Sequence, residues 1–370
     1  MALLAETKLD PRESCYPLSA LQQGMLFDAL RSRQRGVDVT EVVVHCKERL
    51  EPALMEQACQ ALAERHDILR TSFRWENLAE PRQVVQPKIR IPVSEKDWTE
   101  LPVVEQNASL EALLKEERRQ GFELSVAPLM RVVLIRRAAA EFTMVWIYHH
   151  ILLDARSLGI LLKELFGIYE DLKQGALTTV AGSKQYHDYI DWLQRQDWSK
   201  AETFWRKRFE GFGAATPLTE TFGFAKAEKE RAAAAASMTG PGEQQIEIAE
   251  DLTRQLRSFA KNNELTLNTL MQGAWALLLS RYSNGEDVVF GAIRACRRST
   301  VEGSEGIAGL LINTLPVRVG VTREMTLLPW LKQIRQQWIE LRDFEHTPLT
   351  RIQGWTGTPA GTPLDRKSVV

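Results

Sequence analysis

The sequence lacks several features that would assign the chain to a common functional class. Its four cysteines among 370 residues form no CxxC pair and no other spacing typical of a metal site. It has 47 basic and 48 acidic residues, so no excess of charge indicates a nucleic acid or a membrane surface as partner. We therefore expect unpaired thiols in a cytoplasmic protein that binds neither nucleic acid nor membrane.

Long apolar segments are also missing. The longest weakly polar run, Leu265 to Ser280, contains Asn268 and Gln272. It is shorter than the roughly 18–20 apolar residues that a membrane-spanning helix needs. The N-terminal residues have no basic region followed by an apolar stretch, so they do not resemble a secretion signal. These observations favour a soluble protein.

The length and the order of the secondary-structure patterns indicate two domains. A single core rarely grows beyond about 250–300 residues. Helical and strand patterns alternate along the chain, apart from a connection at about 211–242 that is rich in Gly, Pro, Thr and Ala. We predict a mixed α/β fold with an N-terminal lobe at 1–178 and a C-terminal lobe at 179–370.

Individual elements are predicted from caps and periodicity. Ser19 and Gln22 form a capping-box pattern ahead of a helix, and Thr266 is placed to cap another. Arg82 to Gln86 is predicted to form a hairpin with the strand before it, at 69–75. The other predicted helices lie at 52–66, 110–121, 158–173, 186–208, 252–262, 267–282 and 327–342, and the strands at 39–44, 129–136, 142–148, 245–248, 288–293 and 312–319.

Two adjacent histidines mark the most informative stretch. His149 and His150 follow the apolar run Phe142 to Ile147, and Asp154 precedes a run with helical spacing, Leu158 to Phe166. This pattern predicts a strand, a short loop and a helix, a place where functional side chains are often held. Neighbouring residues of an extended segment point to opposite sides, so only one of the two histidines can face a reaction channel.

A metal site is an alternative interpretation of this stretch. Two histidines and a carboxylate can bind iron as a facial triad. Adjacent histidines that point apart cannot readily bind one ion, however, and no further cluster of ligand residues accompanies them. We expect no metal.

The stretch is one of six segments that combine polar and apolar residues in a definite order: Tyr16–Phe27, Arg65–Phe73, His149–Asp154, Tyr186–Trp192, Gly309–Arg318 and Phe344–Leu349. Together they resemble the motifs of the condensation domains of nonribosomal peptide synthetases, which belong to the chloramphenicol acetyltransferase-like superfamily. The third segment is similar to the HHxxxDG signature. This motif is weak evidence alone, but six motifs in the right order are strong evidence.

The resemblance implies two chloramphenicol acetyltransferase-like lobes that form a V with a channel between them. It also implies the reaction. An acyl group, held as a thioester on the phosphopantetheine arm of a donor carrier protein, is joined to the amine of an aminoacyl group on an acceptor carrier. The implied partners are these two carriers and further synthetase modules, and no cofactor is bound directly.

The resemblance also implies roles for individual residues. His150 is expected to be catalytic, because an imidazole that titrates near neutrality can move the amine proton or stabilise the oxyanion. His149 is expected to be turned into the protein, and Asp154 to pair with an arginine that holds the loop. Arg70 is the candidate for this arginine, and Arg65 is left open.

Further positions are assigned to the surroundings of the site. Asn313, Thr314 and Ser157 are expected on the channel wall. Ala155 replaces the usual glycine of the signature. Alanine should be tolerated if this position starts the helix, but a left-handed backbone there would be strained.

The end of the sequence is the second departure from the family pattern. After Leu364 the chain continues with Asp365-Arg366-Lys367-Ser368-Val369-Val370 where the pattern has an apolar strand. We therefore expect a truncated second lobe. A catalytically inactive carrier-docking or scaffold module, or a fragment of a synthetase, is the alternative function.

Overall fold

The chain is described by a computed structural model that covers residues 14–31, 36–176, 184–212, 246–298, 300–357 and 367–368. It divides into two compact units. The first unit is Met1–Gln196 with Cys296–Ile312, and the second is Asp197–Ala295 with Asn313–Val370. We call Cys296–Ile312 the crossover segment, because here the chain leaves the second unit, contributes to the first and returns.

The first unit is a mixed α/β structure. Its elements are β1 (Ser14–Pro17), α1 (Ala20–Arg31), β2 (Val39–Cys46), α2 (Pro52–Arg65), a 3-10 turn (Asp67–Arg70), β3 (Thr71–Arg74), β4 (Arg82–Val85), β5 (Val93–Asp97), α3 (Val103–Gln120), β6 (Met130–Ala138), β7 (Glu141–His149), α4 (Ala155–Lys173) and α5 (Tyr186–Gln194). A further 3-10 turn, Ser304–Gly306, lies in the crossover segment.

Two sheets organise these elements. One has the strand order β2-β7-β6-β5, and the other has the order β1-β4-β3. β7 pairs with β2 and β6 in antiparallel fashion, whereas β5 lies parallel to β6. Every residue of β7 after Glu141 is buried, which explains why its sequence is a continuous apolar run rather than an alternating pattern. The histidine pair therefore lies at the end of a buried strand, with His149 as the last residue of β7 and His150 directly after it.

The second unit is also α/β. Its elements are α6 (Ser199–Arg208), α7 (Glu250–Asn262), α8 (Leu267–Ser283), β8 (Asp287–Ala295), β9 (Ile312–Gly320), α9 (Leu327–Glu340), a 3-10 turn (Leu341–Phe344), α10 (Leu349–Thr356) and β10 (Lys367–Ser368). The strands form a sheet with the order β10-β8-β9. Its core includes the buried side chains of Trp205, Phe290 and Trp330.

The predicted mixed α/β fold is confirmed, and so are both caps. Ser19 and Gln22 exchange reciprocal hydrogen bonds, from Ser19 N–H to Gln22 Oε1 at 3.0 Å and from Gln22 N–H to Ser19 Oγ at 3.2 Å. Thr266 Oγ1 accepts from Thr269 N–H at 3.2 Å and so caps α8. The unit boundary lies after Gln196, later than the expected position, because Tyr186 and its helix α5 pack in the core of the first unit.

Several element predictions differ from the structure. The strand predicted at 245–248 is wrong, since 246–249 has no regular secondary structure and Ile246 is 82% exposed. The predicted helix at 186–208 is two helices, α5 and α6, and α3 begins earlier than predicted, at Val103. The connection at 211–242 lies outside the described residues from 213 onward. Among the residues that the structure describes, no helix is long and apolar enough to cross a membrane.

Candidate active site at the end of strand β7

The candidate site begins where β7 ends. His149 is the last residue of β7, opposite Val39 of β2, and its N–H donates to Leu129 O at 3.0 Å. The next residue, His150, donates its N–H to Asp38 O at 2.7 Å. The chain then turns through three fully buried aliphatic residues, 151–153, before α4 starts. The sheet and the helix therefore hold this short loop from both ends.

His149 is a buried, neutral imidazole. It is 2% exposed, and its Nδ1 accepts a hydrogen bond from the N–H of Ile151 at 3.2 Å. Burial, with a smaller contribution from the neighbouring His150, lowers the pKa of His149 to about 4. At neutral pH the ring is therefore an uncharged hydrogen-bond acceptor within the loop.

His150 is less buried, and its tautomer follows from one contact. Its Nδ1 lies 2.8 Å from the carbonyl oxygen of Leu153. Because a carbonyl oxygen can only accept, Nδ1 must carry the proton of the neutral ring. Nε2 then keeps its lone pair, and it makes no hydrogen bond to any residue that the structure describes. The contact thus prepares Nε2 to accept a proton.

Asp154 is paired with Arg297, not with Arg70 or Arg65. Arg297 Nη2 lies 3.0 and 3.1 Å from the two carboxylate oxygens of Asp154, and both side chains are almost completely buried. The carboxylate also accepts from the N–H groups of Ser157 at 2.7 Å and Leu311 at 2.9 Å. With these donors bound, Asp154 serves as the N-cap of α4 and as the counter-ion of Arg297, and not as a catalytic acid or base.

The two arginines expected beside Asp154 have other partners. Arg70 contacts Asp67 and the carbonyl of Gln86, and its Nε donates to Ala63 O at 2.9 Å. Arg65 lies 3.4 Å from Glu164. The prediction is therefore wrong for both arginines. The carboxylate instead pairs with Arg297, the second residue of the crossover segment, which follows the end of β8 at Ala295.

Ser157 is a buried connector. It is 0% exposed, its hydroxyl donates to Gly309 O at 2.6 Å, and it accepts from Gly309 N–H at 2.9 Å and from Arg297 Nη2 at 2.7 Å. Arg297 Nη1 in turn donates to Ser304 O at 2.9 Å and Ile307 O at 2.7 Å. The prediction that Ser157 lies on the channel wall is wrong, because its side chain is fully buried and binds the crossover segment to α4.

Ala155 is the first residue of α4 and follows its N-cap, Asp154. It is not among the residues with positive φ. The first turn of a helix needs no left-handed backbone, so alanine introduces no strain at this position. The doubt that the missing glycine raised about the loop is thereby removed.

Asn313 and Thr314 lie on β9, in the second unit, and are 9% and 5% exposed. The Asn313 amide donates to Glu345 O at 3.0 Å and to Thr347 O at 2.7 Å. These bonds tie β9 to the chain segment that contains the last of the six motifs. A position of Asn313 and Thr314 on a channel wall remains a prediction.

The described part of the chain contains no group of three His, Cys, Asp or Glu side chains that could hold a metal ion. The facial triad would need Asp154 as a ligand, but Arg297 and two backbone N–H groups already occupy its carboxylate.

The residue that sequence reasoning missed is Arg297. A signal was present, because Arg297 lies shortly after the strand predicted at 288–293, as the histidines follow the strand predicted at 142–148. Nothing in the sequence indicated, however, that Arg297 would pair with Asp154.

Comparisons with known proteins show the family to which the chain belongs. The family model "Condensation domain" matches residues 12–364. The chain is 41% identical to a linear gramicidin synthase of Brevibacillus parabrevis over 355 residues, which are 95% of the chain and 4% of that synthase. It is 30% identical to surfactin synthase subunit 3 of Bacillus subtilis over 356 residues, which are 96% of the chain and 27% of that protein. The chain thus spans only a small part of these relatives.

Solved structures show the same fold. The starter condensation domain of rhizomide synthetase, a mutant in complex with C8-CoA and Leu-SNAC, superposes with a TM-score of 0.75 at 20% identity, over 95% of this chain and 76% of the other. The first condensation domain of the calcium-dependent antibiotic synthetase, in complex with a substrate analogue, gives 0.75 at 14% identity, over 96% and 80%. The chain belongs to the condensation domain family, the acyl-transferring enzymes with a chloramphenicol acetyltransferase-like fold that form amide bonds in nonribosomal peptide synthesis.

Proposed function

We propose that this chain joins an acyl group, held as a thioester on a donor carrier, to the amine of an aminoacyl thioester on an acceptor carrier, with His150 as the catalytic residue. Both substrates are delivered on the phosphopantetheine arms of the carrier proteins. The relatives named as synthases support carriers as partners, and they support further modules of the same assembly line. We also propose a cytoplasmic location, which the four unpaired cysteines support.

The proposed step begins with attack of the amine nitrogen on the thioester carbonyl carbon, which forms a C–N bond and a tetrahedral oxyanion. Nε2 of His150 takes the proton that the nitrogen loses. Collapse of the intermediate breaks the C–S bond and re-forms the carbonyl. The departing thiolate of the donor arm then takes the proton from the imidazolium, and the ring returns to its starting state.

The single observation that carries this assignment is the hydrogen bond from His150 Nδ1 to Leu153 O at 2.8 Å. It selects the tautomer whose lone pair is on Nε2. In the imidazolium the same bond becomes charge-assisted and therefore stronger.

The neighbouring residues His149 and Asp154 have supporting roles. Since burial lowers the pKa of His149 to about 4, that ring stays neutral when His150 becomes charged and adds no second charge next to it. We assign His149 and Asp154 structural roles, because their hydrogen bonds hold the loop and the start of α4.

The test is a condensation assay. Carrier proteins are loaded with a panel of acyl and aminoacyl groups by a phosphopantetheinyl transferase, and the amide product is measured by mass spectrometry. We expect His150→Ala to lower kcat by about 10²–10⁴, the usual contribution of general acid–base catalysis. The matched control is His45→Gln, which removes an imidazole at the other end of the β2–β7 strand pair.

Two results would count against the proposal. If His150→Ala formed product as fast as the parent chain, His150 would not be catalytic. If the folded parent formed no product with any loaded pair while a relative's condensation domain did so in the same assay, an inactive docking or scaffold function would be favoured.

A further inference from the structure

The buried glutamine Gln22 contacts the loop between β7 and α4, residues 150–154, which we call the catalytic loop. It lies on α1 and is 0% exposed. Its Nε2 donates to the carbonyl oxygen of Ile151, the residue after His150, at 3.1 Å. The same nitrogen donates to Gln83 Oε1 at 3.0 Å, while Gln22 Oε1 accepts from Ser19 N–H at 3.0 Å. The amide is therefore held at three points, with one N–H directed at the loop.

The Ile151 carbonyl belongs to the peptide plane between Ile151 and Leu152, and the position of this plane affects the hydrogen bond of the His150 ring. The same plane contains the N–H of Leu152, which donates to His149 O at 3.1 Å. The carbonyl that binds His150 Nδ1 comes two residues after Ile151, at Leu153. A rotation of the Ile151–Leu152 peptide plane would therefore displace the Leu153 carbonyl, which sets the tautomer of His150.

Water cannot readily take the place of the Gln22 amide. The side chains of Ile151, Leu152 and Leu153 are all 0% exposed. Without a donor, the Ile151 carbonyl would be a buried, unsatisfied acceptor. The loop would then be driven to rotate this carbonyl toward another partner.

We propose that Gln22 is a positioning residue for His150, acting through the carbonyl of Ile151 to hold Nε2 as the proton acceptor. The catalytic part of this inference rests on the proposed function of His150. The effect on the ring does not, because the tautomer exists without substrate.

The test compares two buried glutamines. Gln22→Met keeps a similar side-chain volume and removes the donor to Ile151. Gln106→Met is the matched control, because Gln106 is 5% exposed and its Nε2 donates to the carbonyls of Trp98, Leu101 and Arg137, far from the catalytic loop. Both changes leave buried carbonyls without this donor, so both should lower the urea midpoint of the full chain.

The decisive readout is the ¹⁵N NMR spectrum of chains with labelled histidine. His150 is assigned by comparison with His150→Ala. Spectra are recorded at about pH 8.5, above the usual imidazole pKa of about 6.5. We expect the parent and Gln106→Met to show protonated Nδ1 and unprotonated Nε2, and Gln22→Met to show a mixture of tautomers. With loaded carriers, Gln22→Met should lower kcat about 10- to 100-fold, as expected for a misplaced catalytic group.

The outcomes separate the two proposals. If Gln22→Met keeps the parent tautomer and a kcat within about twofold of Gln106→Met, the positioning role is overturned. If it changes the tautomer while His150→Ala keeps full activity, the effect of Gln22 on the ring stands and the proposed function fails. Should Gln22→Met give no cooperative unfolding transition, Gln22→Asn is measured by the same criteria, since its shorter amide falls short of Ile151.

Discussion

Removal of one partner of the buried Asp154–Arg297 pair should destabilise the chain strongly. In Arg297→Met the carboxylate of Asp154 loses its counter-ion in a site where both side chains are almost fully buried. The carbonyls of Ser304 and Ile307 lose a donor at the same time. Breaking a buried pair in this way costs about 3–5 kcal/mol, a large fraction of the roughly 5–15 kcal/mol of a typical domain.

Asp154→Ser probes the other side of the pair. Serine is a good N-cap, so the bond from Ser157 N–H can be kept while the charge is removed. The Arg297 cation is then left without its counter-ion, and we again expect about 3–5 kcal/mol. The double variant leaves neither charge unpaired, so its loss should fall short of the sum of the two single losses by about 2 kcal/mol or more.

The chain offers a matched control for this cycle. Arg156 and Glu305 form an ion pair at 2.6 Å between the same two segments, α4 and the crossover segment, but both side chains are 52% exposed. Arg156→Gln should therefore cost less than about 1 kcal/mol. The two pairs differ mainly in burial, which is the variable under test.

The assay is urea unfolding followed by circular dichroism, with hydrogen exchange measured by mass spectrometry. Arg297→Met should accelerate exchange in the crossover segment more than in the β6–β7 hairpin, because the lost hydrogen bonds hold that segment. The reasoning is refuted if Arg297→Met and Asp154→Ser cost no more than Arg156→Gln, or if the two losses add.

Three further predictions concern the same region. Burial lowers the pKa of His149 to about 4, whereas an unfolded histidine titrates near 6.5, so the unfolded state binds the proton first as the pH falls. The free energy of unfolding should therefore fall by up to about 3 kcal/mol between about pH 6.5 and pH 4. In urea titrations, His149→Gln should remove this part of the pH dependence. A Cβ at Gly309 would lie 2.1 Å from the ring of buried Tyr186, so Gly309→Ala should cost more than about 2 kcal/mol in thermal unfolding, and adding Tyr186→Leu should recover part of the loss. Ala155→Gly should lower stability by up to about 1 kcal/mol and leave kcat unchanged, since α4 already starts at this residue; a higher rate would contradict the unstrained loop.

Much of the fold was predictable because its signals are local. The capping box at Ser19 and the cap at Thr266 involve residues three positions apart, and both form as predicted. The continuous apolar run before His149 is the pattern of a strand buried on both faces. The strand at 245–248 was predicted wrongly, because a short alternating run can equally well remain unpaired and exposed, as Ile246 does.

In the candidate site, too, local features were predictable and contacts between distant residues were not. The strand, the loop with its two adjacent histidines and the helix that follows are local features, so the sequence by itself determined them; that the helix starts at Ala155 came from the structure. The partner of Asp154 is 143 residues away, and Gln22 is 129 residues from the carbonyl that it holds. Only the tertiary structure decided these contacts. A buried charge or carbonyl needs a donor, but packing between distant segments determines which donor is near it, and no local sequence pattern indicates that partner.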